Sequence, residues 1–340
     1  MRPLHELSQT EREIFFREAS AELGIQLAII EKDFWVVWTL ERLFSLPDLK
    51  SHLTFKGGTS LSKVFGVIER FSEDIDVSIE KEFLGFDESK DPLKLTSKNK
   101  QKTLLEDLST TCSKYIQEKL LSDLFESIEE NLKTKNGWNL EIDSSDSQTI
   151  LFSYPTSQPR DGYIRPVVKI EMGARAEHWP VSEHKIQSYA KTTLKEKMNE
   201  AEVLVRVLDA ERTFWEKATI LHQYAHLPTE KALPVRLSRH WYDFFKLLNS
   251  PIKKKSLDNI KLLERVANHK KVYFASGWAN YNSAKKGTLK LAPLDRVLAD
   301  LKKDYELMNP MFFGEVPDWG KMMKAIEEFE REFNKKSGEF

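Results

Sequence analysis

The chain has 340 residues, 40% hydrophobic and 31% charged, an ordinary balance for a globular protein whose length suggests two domains. Its 52 basic and 53 acidic residues leave a formal net charge of −1, so bulk charge gives no argument for a nucleic-acid partner, which would need a local basic patch. A single cysteine, Cys112, excludes an internal disulfide and a multi-cysteine zinc site and fits a reducing cytoplasm.

The first twenty or so residues hold no apolar core of signal-peptide length. No window approaches the about 18 uninterrupted apolar residues a membrane helix needs. A cytoplasmic protein without membrane spans is expected.

In chain order, residues 9–48 read as helices, with Ser8 placed to cap the first and Glu11 at the capping-box position. Ile25–Phe44 is apolar on most faces and predicts a buried helix ending near Pro47. Leu53–Gly57 reads as a short strand running into Gly57-Gly58, where the backbone must turn tightly, and Thr59–Phe65 as a short helix. Asp74–Ile79 alternates strictly, with Ile75, Val77 and Ile79 on one face and Asp74, Asp76 and Ser78 on the other. Residues 97–135 lack both Gly and Pro and carry leucines at helical spacing, so one or two long helices are expected. Trp138–Ile142, Thr149–Tyr154 and Pro166–Met172 are strand candidates, with Val203–Leu208 a further one. From Glu211 onward the pattern is helical, broken near Pro228–Pro234, Pro251, Gly277–Gly287 and Met308–Pro317. The order predicts an α+β domain over residues 1–200 and an α-helical domain over 201–340, with the seam near 195–210.

The informative stretch is FKGGTSLSKVFGVIERFSEDIDVSI, residues 55–79. Carboxylates at i and i+2 of a strand project from one face, as two magnesium ions about 3.5–4 Å apart require for phosphoryl transfer. Magnesium takes a few carboxylates plus phosphate oxygens. Asp74 and Asp76 are therefore candidate metal ligands. Gly57 and Gly58 would let the backbone approach a triphosphate. The N–H groups of the following helix, the hydroxyls of Thr59 and Ser60, and Lys63 would hold its phosphates. In RPVVKIEMGAR, residues 165–175, Lys169 and Glu171 share a face. Glu171 is the candidate third acid and Lys169 a phosphate or base contact; a routine Lys/Glu pair on a half-exposed strand is the alternative.

Residues 55–79 resemble the nucleotidyltransferase signature of Gly-Gly or Gly-Ser followed by Asp-x-Asp. In wording they resemble the AbiEii/AbiGii toxin family. EKDFWVVWTL at 31–40, VVKIEMGAR at 167–175, ERTFWEKATILH at 211–222, RHWYDFFKL at 239–247 and NPMFFGEVPDW at 309–319 are similar to that family too. The resemblance implies a polymerase-β-like palm with a mixed sheet and flanking helices, then a helical domain. It implies an NTP as donor, Mg²⁺ or Mn²⁺ as cofactor, an RNA acceptor such as a tRNA 3′ end, and an antitoxin encoded nearby. The family's later motifs carry a lysine and an aspartate that match Lys217 and Asp243. Lys217 would contact the triphosphate and Asp243 would position Lys217 or a basic neighbour, an interdomain salt-bridge network being the alternative.

By helical spacing, Leu237, Trp241, Phe244, Phe245 and Leu248 should pack inward, leaving Arg236, Arg239, His240 and Asp243 on the opposite stripe. His240 reads as a hydrogen-bonded structural histidine. The basic side chains of 236–246 and 253–271 suit an RNA backbone or simply a solvated face, with Trp241 or Trp278 as stacking candidates. Rival readings are a silent nucleotide- or RNA-binding module, a nuclease using the same acids, and a phosphotransferase on a protein or small molecule.

Overall fold

A computed structural model describes residues 2–132, 136–156, 164–200 and 202–335. The chain divides into two compact units. The first comprises Met1–Val64, Phe71–Asp91 and Lys102–Leu208; the second comprises Phe65–Arg70, Pro92–Gln101 and Asp209–Phe340.

In the first unit, α1 (Gln9–Leu23) starts at the expected capping box. Ser8 Oγ accepts the Glu11 N–H, the Glu11 carboxylate accepts the Ser8 N–H at 2.8 Å, and Gly24 ends the helix at φ 66°. Next come α2 (Leu27–Ser45), β1 (Leu53–Lys56), α3 (Gly57–Lys63) and β2 (Asp74–Ile79). The Gly- and Pro-poor stretch forms α4 (Lys98–Tyr115) and α5 (Leu121–Asn131), joined through one π-helical turn, Ile116–Leu120. β3 (Asn139–Asp143), β4 (Asp146–Ser153), β5 (Val167–Gly173), β6 (Val181–Ile186), α6 (Tyr189–Thr193) and β7 (Val203–Leu208) complete it.

The strands make one mixed seven-stranded sheet in the order β3-β4-β5-β2-β1-β7-β6. β2/β5 and β1/β7 are parallel; the other pairs are antiparallel. β6 was not legible in the sequence because Ser182, Glu183, His184 and Lys185 run together in it. As an edge strand pairing only with β7, it has no buried face to impose alternation. β7 joins this sheet, so the first unit runs through Leu208.

Period-two alternation divides the sheet's faces. Ile75, Val77, Ile150, Phe152, Val168 and Ile170 are wholly buried on one of them. α2 covers that face, with Trp35 stacked on Tyr154 at 5.6 Å and Trp38 on Phe152 at 5.8 Å. Each such aromatic contributes about 1.5–3 kcal/mol through burial. The other face carries Lys56, Asp74, Asp76, Lys169 and Glu171.

The second unit contains α7 (Ala210–Tyr224), α8 (Arg239–Leu248), α9 (Ile252–Asp258), α10 (Lys261–Tyr273), α11 (Leu298–Leu307) and α12 (Trp319–Asn334), with the breaks where proline and glycine predict them. Phe214, Trp215, Phe244, Phe329 and Phe333 form its aromatic core. Among the described residues no helix is long and apolar enough to cross a membrane.

Candidate active site

The strand register sets the site. Lys56 of β1 pairs with Asp76 of β2, and Asp76 pairs with Glu171 of β5. Asp74 sits opposite Lys169. A row Lys56–Asp76–Glu171 thus crosses three neighbouring strands, which lie about 4.8 Å apart. Gly57 follows Lys56 with φ +80°, and a Cβ there would lie 1.9 Å from Asp76 Oδ2. The Asp76 carboxylate therefore rests directly on the glycine turn, which no other residue type would allow.

The hydroxyls expected to meet phosphates hold the turn instead. Thr59 Oγ1 donates to the carbonyl of Asp74 at 2.5 Å or of Ser72 at 3.2 Å, and Ser60 Oγ donates to the Gly57 carbonyl at 2.9 Å. Both residues are buried, and each hydroxyl has one proton to give. Thr59 ties α3 to the start of β2, and Ser60 ties the first turn of α3 to itself.

Lys63 is likewise placed differently from the sequence expectation. Its side chain is only 4% exposed, its ammonium lies 2.5 Å from Asp33 Oδ1, and it sits 3.5 Å above the Tyr189 ring. Burial pulls its pKa down against the pull of Asp33, and burial raises that of Asp33 against Lys63. Asp33 Oδ2 also accepts the Tyr189 N–H at 2.6 Å, and the Tyr189 hydroxyl meets Ser62 Oγ at 2.9 Å. Lys63 is thus a buried anchor for the far end of α3.

Sequence reasoning missed the source of these anchors, three consecutive charges in the buried α2. Beside Asp33, Lys32 bonds Glu73 at 2.6 Å, immediately before β2. Glu31 accepts the Thr156 hydroxyl at 2.8 Å, and burial pushes its pKa up to about 7. A Glu-Lys-Asp run inside a mostly apolar helix was the available signal, since buried charges require partners.

Glu171 shares the acid face, but its carboxylate is held 2.6 Å from Lys169. Partial burial opposes the Lys169 charge, yet Glu171 and then Asp74 hold its pKa above the usual value. Among the described residues no three His, Cys, Asp or Glu side chains gather at metal-holding range. The three-acid convergence expected from the sequence is therefore not preformed: like carboxylates repel, and Glu171 takes the nearest cation. The donor set nevertheless fits a hard cation. Asp74 and Asp76 present carboxylate oxygens from one face of β2, and Mg²⁺ commonly takes one or two carboxylates and completes its shell with phosphate and water.

In the second unit the structure brings Lys217 and Asp243 together. Asp243, expected on the stripe opposite the inward-packing one, is wholly buried, while Phe245, expected to pack inward, is only half-buried. The physical reason is Arg70, whose fork grips Asp243 at 2.7 and 2.9 Å while Lys217 bonds the same carboxylate at 2.7 Å. Burial would raise the Asp243 pKa, but the two cations hold it far below the carboxylate range. Burial first, then the Lys217 charge, push His240 well below its usual pKa. Neutral His240 thus accepts from Lys217 through Nδ1 at 3.1 Å, the hydrogen-bonded structural role foreseen for it. One carboxylate thus orients two cations.

Residues 38–333 match the protein family described as nucleotidyl transferase AbiEii toxin, type IV TA system. No curated protein matches the chain. Among solved structures the chain is similar to MenT4, a nucleotidyltransferase toxin from Mycobacterium tuberculosis H37Rv. The identity is 15%, the alignment covers 96% of this chain and 97% of that one, and the TM-score is 0.48.

Proposed function

As this chain belongs to the AbiEii family of nucleotidyltransferase toxins of type IV toxin–antitoxin systems, we propose that it transfers a nucleoside monophosphate from an NTP to an RNA hydroxyl, the tRNA 3′ end being the favoured acceptor. The observation that carries this reading is the Asp76 carboxylate seated on the Gly57 turn, with Asp74 on the same strand face.

In the proposed reaction the acceptor hydroxyl attacks the α-phosphorus, its proton passes to solvent, and the bond to the β-phosphate oxygen breaks with pyrophosphate departing. Asp74 and Asp76 would hold Mg²⁺, or Mn²⁺, which supplies charge neutralisation at the phosphates when bound. Thr59, Ser60 and Lys63 keep the turn and its helix rigid, so the positioning is built in before substrate arrives. Glu171, already on the acid face, would turn its carboxylate to the cation once Lys169 releases it, leaving Lys169 for a phosphate. In the helical unit, Asp243 fixes the Lys217 ammonium, which we assign to an anionic group of the substrate. Exposed Lys254, Lys255, Lys261 and Lys271 on α9 and α10 are our candidates for the local basic contacts that an RNA acceptor needs despite the neutral bulk charge. Type IV membership implies an antitoxin partner.

The test is incubation with each labelled NTP, Mg²⁺ and total RNA, followed by sequencing of RNA 3′ ends. Label on extended RNA ends is the expected result. Label on protein or a small molecule would replace the acceptor, and shortened RNA would replace transfer by nuclease chemistry.

A further inference from the structure

Four lysines surround the acid strand and the glycine turn, and their partners separate them. Lys32 is held 2.6 Å from Glu73, Lys63 2.5 Å from Asp33, and Lys169 2.6 Å from Glu171. Drawing Lys32 or Lys63 away would strand a charge in an environment that cannot solvate it. Lys56 is different. Among the described residues its ion-pair partner is Asp76 Oδ1 at 3.9 Å, beyond hydrogen-bond distance, and its side chain is 29% exposed.

We propose that Lys56 is a catalytic residue whose ammonium contacts the pyrophosphate end of the nucleotide held at Asp74 and Asp76. The assignment rests on the nucleotidyl-transfer reading of that site. Lys56 is the last residue of β1, its backbone extended at φ −151° and ψ −167°, and its side chain shares the acid face through the register Lys56↔Asp76. The next residue is the turn on which Asp76 rests. An ammonium on a four-carbon stem there reaches whatever lies over both.

Electrostatics gives the residue two states. In the free protein Lys56 offsets part of the Asp76 charge across a half-exposed gap. With its charge shared by a bound divalent cation, Asp76 would hold the ammonium less firmly, and Lys56 would turn to the strongest neighbouring anion, a phosphate oxygen. During transfer the acceptor O–P bond forms, the bond between the α-phosphorus and the β-phosphate oxygen breaks, and the electron pair leaves on pyrophosphate. Lys56 stays protonated throughout and neutralises the charge that accumulates there. It supplies attraction, not a proton.

Lys56→Met and Lys56→Arg are the test variants, with Lys56→Gln as a second neutral form. Calorimetric binding of pyrophosphate with Mg²⁺ reads the contact without turnover, and NTP transfer kinetics read it during reaction. The neutral variants should weaken pyrophosphate binding by about tenfold or more and raise the NTP KM, as loss of a charge-assisted hydrogen bond implies, and Lys56→Arg should restore most of both. Pyrophosphate affinity within about twofold of the unmodified protein in either neutral variant overturns the assignment. Unmodified protein that binds pyrophosphate through Lys56 but labels no RNA sinks the acceptor reading alone. Transfer unimpaired by loss of Lys56 sinks Lys56 alone. Unmodified protein that binds no pyrophosphate sinks both.

Discussion

Replacing Gly57 by alanine isolates the close approach on which the active-site reading depends. The new methyl would lie 1.9 Å from Asp76 Oδ2, 2.6 Å from Cγ and 2.9 Å from Cβ, so the whole Asp76 side chain must swing away or the turn must move. The φ of +80° adds strain of about 1–2 kcal/mol for any residue with a Cβ. Gly24 supplies the control: its φ is +66°, and an added Cβ meets nothing within 4 Å. Gly24→Ala should therefore lose about 1–2 kcal/mol of stability in denaturant titration, and Gly57→Ala at least that much. Only Gly57→Ala displaces a carboxylate at the acid face. A displacement of about 1 Å costs on the order of 100-fold in rate, or about 2.7 kcal/mol of barrier. The assay is single-turnover transfer from labelled NTP at saturating Mg²⁺, run on both variants at matched folded fraction. Equal activity in Gly57→Ala and Gly24→Ala would refute the claim that Asp76 must rest on the turn for transfer.

Asp76→Ala should abolish transfer while near-native circular dichroism and denaturation persist, because the side chain is part-exposed; full activity would remove it from the metal-binding set. Asp243→Ala should cost about 3–5 kcal/mol in equilibrium unfolding, since it leaves Arg70 and Lys217 buried without a counter-charge. The folded pKa of Asp243 is depressed, so its contribution is present above the unfolded carboxylate pKa and is lost only as pH falls through the still lower folded value. It should therefore survive at pH 4, and a steep loss between pH 6 and 4 that Asp243→Asn removes would contradict this. Glu31 has the opposite sign: its folded pKa of about 7 stands above its ordinary value of 4.5, so its contribution is full below 4.5 and disappears as pH rises through about 7. Up to about 3 kcal/mol of stability should be lost between pH 5 and 8, a slope that Glu31→Gln should flatten in urea titrations. Nucleotide addition to RNA should fall steeply between about 50 and 200 mM salt, and salt-insensitive labelling would point away from an RNA acceptor.

What the chain determines by itself is local. Strict alternation at 74–79 places both aspartates on one face before any partner strand is known, and Gly57-Gly58 announces the turn. Ser8 and Glu11 locate a helix start within a residue. Each rests on interactions spanning a few residues, which is why period and composition reveal them. Alternation at 165–175 extended that reading to Glu171, and family wording extended it to Lys217 and Asp243.

The tertiary structure decided who holds each charge. Lys63 looked like a phosphate ligand from its place one turn into α3, but Asp33, thirty residues earlier in the chain, claims it. Helical spacing set Asp243 on the stripe away from the inward-packing residues, but Arg70 and Lys217 hold it in a wholly buried site. Lys56 gained its place beside Asp76 only through the β1/β2 register. A buried charge must find an opposite charge, and sequence states that need clearly. Which one it finds depends on strand register and helix packing, set by contacts between residues far apart in the chain.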